Sequence, residues 1–171
     1  MSITPTYAWK PDAKVSAALG AEINYVGLNL KKKIAGGAYD SETDGDSTAL
    51  GWNAAANYAF DSKNEIGLVY RSKVTHSMEA DFKAYMVNGM SIKRDAYGKV
   101  TLPDSWAIGY NHKFDDKTRV ELNATRTNWS TYDALNISLS DLTVPVLPNS
   151  INANKNWESG WRYAIGLEHK V

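Results

Sequence analysis

The feature that most constrains this chain is alternation with a period of two. In "GWNAAANYAFDSKNEIGLVYRSKV", residues 51–74, Trp52, Ala54, Ala56, Tyr58 and Phe60 fall on one face of an extended strand. Asn53, Ala55, Asn57 and Ala59 fall on the other. After the turn-formers "DSKN", Ile66, Leu68 and Tyr70 share a face while Arg71 and Lys73 point away. This is a β-hairpin with one apolar and one polar side, its strands running about 48–60 and 65–86. The same period recurs over 3–10, 14–34, 99–114, 118–138 and 157–171. The sequence therefore predicts an all-β chain of about seven strands, with no helix and no separate domains within 1–171.

Connection lengths decide what lies against the apolar side. "KPDAK" (10–14), "DSKN" (61–64) and "DDK" (115–117) are tight turns; about 35–47, 86–98 and 139–156 are long links. In an up-and-down sheet this collects every short turn at one end and every long link at the other. That is the layout of an antiparallel transmembrane β-barrel. Trp9, Tyr58, Phe60 and Phe114 sit beside the short turns, and Trp157 and Trp161 open the final strand at its long-link end. These are the predicted interfacial aromatics. Glu22, Arg71, Lys73, Glu121 and Arg162 lie opposite the apolar face and are predicted to face the lumen. The alternative is a soluble or secreted β-barrel or sandwich binding lipid or carbohydrate through its aromatics, six Trp and ten Tyr against three Phe.

Other functions lose ground on composition. Lys plus Arg and Asp plus Glu are 19 each, so there is no basic excess for nucleic acid. Without cysteine there is no disulfide framework and no thiolate metal site. His76, His112 and His169 fall in separate strands without ligand spacing, and no G-x-S-x-G occurs. Neither an enzyme, a metal nor a cofactor is predicted. "DSETDG" (40–45) copies the first half of an EF-hand loop, but its twelfth position is Gly51 rather than Glu, so it reads as a solvated acidic loop. "MSITPTYAWKPD" lacks the basic start and apolar run of a secretory signal.

Four stretches, the hairpin above, "VTLPDSWAIGYNHKFDD", "NATRTNWSTYDAL" and "NWESGWRYAIGLEH", resemble consecutive segments of the FadL-type outer-membrane transporters of long-chain fatty acids and other hydrophobic compounds. The resemblance implies the bacterial outer membrane, a larger barrel plugged by an N-terminal hatch, capture of a hydrophobic ligand outside, and its release sideways through the wall. It covers the middle of such a barrel, since the hatch and the first and last strands have no counterpart here. Further strands or another copy are then needed to close the sheet. Direct pairing of 3–10 with 157–171 would be parallel, foreign to such barrels, and is not expected. The resemblance also implies a carboxylate site. Lys33, in "LKKKIAGG", falls where a family basic residue faces the ligand, and Lys155 lies about two residues from the place of a second family lysine. The implied partners are a hydrophobic small molecule and membrane lipid or lipopolysaccharide.

Overall fold

The structure, a computed structural model, describes residues 1–37, 39–86, 89–132, 134–140, 150–154 and 156–170. Its strands are β1 (Ser2–Ile3), β2 (Thr6–Trp9), β3 (Val15–Ile34), β4 (Tyr39–Ala59), β5 (Asn64–Arg71), β6 (Val74–Met86), β7 (Ser91–Leu102), β8 (Ser105–Lys113), β9 (Thr118–Thr127), β10 (Ala134–Leu139), β11 (Ser150–Asn154) and β12 (Gly160–His169). Two single 3-10 turns, Ala35–Gly37 and Trp129–Thr131, are the helical pieces among the described residues. The twelve strands are the seven predicted passes, five of them interrupted. β1 with β2, β5 with β6, β7 with β8, β9 with β10 and β11 with β12 are each one pass. Passes pair antiparallel with their neighbours in chain order, in a single sheet. Among the described residues β2 pairs only with β3 and β12 only with β9, so the two ends of the sheet do not join.

The long links are shorter than the sequence suggests. The β3–β4 ladder runs unbroken from Val15↔Tyr58 to Ile34↔Tyr39, so most of 35–47 is strand, "DSETDG" included. Likewise β7 begins at Ser91 and pairs with β6, inside the predicted link 86–98. Asp40, Glu42, Asp44 and Asp46 alternate with Ser41, Thr43, Gly45 and Ser47, and inward-facing Ser41, Thr43 and Ser47 are buried. Charge on one face of a strand imitates a loop when the partner face carries only small residues. In the third link β11 occupies Ser150–Asn154; residues 141–149 and Lys155 lie outside the described residues.

Each short turn is held by its own aspartate. Asp12 Oδ1 accepts from the backbone N–H of Lys14 (2.7 Å) and Val15 (2.8 Å). Asp61 does the same for Lys63 (2.7 Å) and Asn64 (2.8 Å), and Asp115 for Lys117 (2.8 Å) and Thr118 (2.7 Å). The shared Asp-x-Lys sequence is an Asx turn, the side chain standing in for a backbone acceptor. These donors hold all three carboxyls below the ordinary aspartate range.

The interruptions fall on one transverse row. Pro5 O accepts from Ala21 N (3.1 Å), Ala21 lies opposite Trp52, and Ser72 N donates to Trp52 O (2.9 Å). Extending the Arg71↔Ser105 register puts Asp104 beside Ser72, and Asn128 N donates to Asp104 O (3.0 Å). Ser130 then meets Ser159 at 2.9 Å between the hydroxyls. Pro5 and Pro103 have no N–H to offer a ladder. At Ser72 the cause is an extra residue. Asn53↔Arg71 and Asp46↔Glu79 leave six residues of β4, 47–52, opposite seven, 72–78. This is a β-bulge.

Candidate functional site: the inner wall of the sheet

The row divides the sheet into two halves of opposite polarity. On the short-turn side the outer face carries Leu19, Ala54, Leu68, Ile108, Leu122 and Ile165, a band three register rows deep. Leu19 is 62% and Ile165 76% exposed. A soluble sandwich covers such a face with a second sheet, and none of the described residues does so.

The inner face of this half is polar. Glu22 is buried there, accepting from Ser2 Oγ (3.1 Å) and Asn24 Nδ2 (3.2 Å) and facing Arg71 Nε at 3.5 Å. Glu121 accepts from Asn123 Nδ2 (2.6 Å). Its register partner Gly166 puts it on the same face as Arg162, the partner of Thr125. Lys73 lies exposed in the bulge itself.

Past the row the inner face becomes apolar. Ile66, Leu68 and Tyr70 face out on β5; Val74, Met78, Phe82 and Ala84, in the same even-numbered stripe, are buried on the inner side of β6. The bulge causes the change: a one-residue offset turns every later side chain to the other face. Phe82 and Ala84 pack with Ala96 of β7 and with Ile137 and Leu139 of β10. Two hydroxyls on this face bond to backbone: Ser47 Oγ donates to Ser77 O (2.9 Å) and Ser41 Oγ to Lys32 O (2.7 Å). Two buried groups that carry or can take charge interrupt it. His76 is 0% and Arg94 9% exposed. Both ring nitrogens of His76 and both terminal nitrogens of Arg94 are shielded from solvent without a hydrogen-bond partner.

The outer face of this half is charged and wet. Lys31 pairs with Glu42 (3.3 Å) and Lys33 with Asp40 (3.8 Å), while Asn29 Nδ2 donates to Glu42 (3.2 Å) and Asp44 (2.8 Å). Asn29 and Lys31 together hold the Glu42 carboxyl below its ordinary range. Lys33 therefore stands at the long-link end, exposed, on the face away from the apolar wall. Lys155 is outside the described residues.

Trp9, Tyr58, Phe60 and Phe114 are exposed at the short-turn end. Tyr58 meets Phe60 edge-on at 5.1 Å, and Phe114 meets His112 at 4.6 Å. Trp157 packs on Trp129 (4.8 Å) and Tyr132 (5.3 Å). Trp161 packs edge-on against Trp106 (4.8 Å), with Arg126 over its ring (5.5 Å).

Val74, Met78, Phe82 and Arg94 are absent from the sequence-predicted site. Their alternation is plain in "VTHSMEADFKA", but nothing in Ser72-Lys73 marks a bulge, so period two alone does not say which face the stripe takes.

Three comparisons bear on this architecture. Outer membrane protein P1 of Haemophilus influenzae is 37% identical over 94 residues, 54% of this chain and 20% of that protein. A Pseudomonas aeruginosa FadL homologue superposes with a TM-score of 0.78 at 17% identity, covering 99% of this chain and 46% of that one. The toluene transporter TbuX of Ralstonia pickettii superposes with a TM-score of 0.72 at 16% identity, covering 96% of this chain and 50% of that one. The chain thus spans a fifth to a half of these proteins. Residues 2–171 match, and the chain belongs to, the outer membrane protein transport protein (OMPP1/FadL/TodX) family.

Proposed function

We propose that this chain is part of the wall of an outer-membrane channel that takes up hydrophobic small molecules, fatty acids or aromatic hydrocarbons, from outside the cell. One observation carries the reading: the inner face turns from polar to apolar beyond the lipid-facing band, on the side of the long links. An aqueous pore has no use for Phe82, Met78, Ile137 and Leu139 turned inward. A compound leaving water gains about 25 cal/mol for each Å² of apolar surface buried, and here it meets such a surface before the polar half. TbuX is described as a toluene transporter, which agrees with a hydrophobic cargo.

Lys33, with an exposed partner at 3.8 Å, can exchange Asp40 for an approaching carboxylate, with Lys155 as the second rim cation. The polar inner residues Glu22, Arg71, Lys73, Glu121 and Arg162 line the lower lumen. The exposed aromatics seat the wall at the two membrane interfaces, and lipopolysaccharide meets the charged outer face above them. Remaining strands, or another copy, cover the two free edges.

The test is equilibrium binding to the detergent-purified protein. Saturable binding of a long-chain acid and of toluene, with none of a sugar of similar size, is expected. Sugar binding with no saturable hydrophobic ligand would overturn the reading.

A further inference from the structure

We infer that Arg126 and the groove beneath it form a lipid A site on the outer face of the wall, the guanidinium taking a glucosamine phosphate and the groove an acyl chain. The site narrows the lipopolysaccharide contact proposed above to one place. It rests on that contact and on the outer-membrane location, not on what the channel carries.

The lipid-facing band supplies the first observation. Its row nearest the interruptions runs Leu19, Ala54, Tyr70, Trp106, Arg126 and Trp161. Across the six strands and three rows of the band, Arg126 is the only charged residue. A lone charge on a barrel's lipid face is tolerated near the interface and costly at the midplane. Arg126 therefore stands at head-group level, on the side of the long links, where the leaflet is lipopolysaccharide.

Its side chain is held in place with its forked end left open. Asn128 Oδ1 accepts from Arg126 Nε (3.2 Å), and Asn128 Nδ2 donates to Asp104 Oδ2 (2.6 Å). The guanidinium carbon lies 5.5 Å from the centre of the Trp161 ring, a cation–π contact. Among the described residues no acceptor meets its two terminal nitrogens, and no ion pair includes it. These nitrogens form a planar fork that matches two oxygens of one phosphate. Asp133 lies outside the described residues; if it held the fork, the phosphate preference measured below would be missing.

The groove continues directly from this head-group end. Trp161 stacks on Tyr163 (5.9 Å, 4°). Tyr163 lines an apolar concavity of about 510 Å³ with Ile108, Tyr110, Leu122, Ala124 and Ile165. Ala124, two residues from Arg126 on the same face of β9, lies between Ile108 and Tyr163 in register. Its short side chain between long ones makes the hollow. Cation above and apolar groove below match a phosphate carried directly over acyl chains.

The detergent-purified protein is titrated with bisphosphorylated lipid A, with the same lipid stripped of both phosphates, and with dipalmitoyl phosphatidylglycerol, and bound lipid is counted by native mass spectrometry. One lipid A per chain should saturate the site. The phosphorylated form should bind about tenfold or more tighter than the stripped form, the range of charge-assisted hydrogen bonds. Arg126→Gln should bring that ratio to about one and leave affinity for the stripped form within about twofold; Arg126→Lys should keep part of it. Ala124→Phe, which fills the groove, should weaken both forms alike, whereas Ala56→Phe, in the same row on β4, should weaken neither. Equal wild-type affinities for the two forms would overturn the assignment. A preference that survives in Arg126→Gln would do so while leaving the broader lipopolysaccharide contact standing. Phosphatidylglycerol binding as tightly as lipid A would give the site to another lipid, and an unaffected Ala124→Phe would remove the groove from it; either result overturns the proposal. Failure of the channel to bind hydrophobic cargo changes none of these outcomes.

Discussion

Gly45 stands on the inner face of β4, where a Cβ would lie 2.5 Å from the Ala80 Cβ and 2.7 Å from the Glu79 carbonyl oxygen. The second contact is backbone and cannot swing aside. Gly45→Ala should therefore loosen the β4–β6 ladder by about 1–3 kcal/mol, the usual cost of overpacking. Gly67→Ala, whose nearest neighbour would be 3.5 Å away, should change stability by less than about 0.5 kcal/mol; urea unfolding in micelles compares the two. Glu22 shows what a sequence reveals at this scale and what it withholds. Its place on the polar side of β3 follows from period two alone. Asn24, two residues along the same face, follows with it; Ser2 and Arg71 do not, because they reach it from β1 and β5, and no local spacing encodes a meeting of that kind.

Strand faces in the membrane half were legible because apolar and polar residues alternate there without a slip: Trp52, Ala54, Ala56 and Tyr58 do lie opposite Ala21, Leu19, Ala17 and Val15. Beyond the row period two does not carry the face across 65–86, since an added residue leaves the alternation intact and changes only what it faces. Ser72 and Lys73 are ordinary strand residues, and only Pro103, on the neighbouring pass, hints at a break. The two passes carry the offset together. Arg71↔Ser105 and Val74↔Leu102 keep one register, so 72–73 stand opposite 103–104. Deleting Lys73 alone should mismatch β6 with β7 and prevent assembly. Deleting Lys73 and Pro103 together restores the match, with the non-ladder stretch 128–132 taking up the difference. Heat-modifiable gel mobility of the two variants reports assembly, and equal failure of both would mean that the bulge itself is required.

As a whole the sheet serves two solvents. In one half carbon faces lipid and polar groups face inward; in the other the sense is reversed, and charge faces water. An arginine on the outer face should therefore be judged by height. Ile108, between Leu68 and Ala124, lies in the lipid band, and Ile108→Arg should cost about 2–4 kcal/mol near the midplane. Glu79→Arg, outward on β6 beside Asp46, should cost less than about 0.5 kcal/mol. Refolding into lipid bilayers followed by urea titration measures both, and equal costs would contradict the two-solvent arrangement. The reversal also sets which positions of β6 are free to vary. Its outer face carries the odd-numbered series Thr75, Ser77, Glu79, Asp81 and Lys83, while the even-numbered series beneath holds the sheet together. Every second letter of β6 can therefore be rewritten without disturbing the wall.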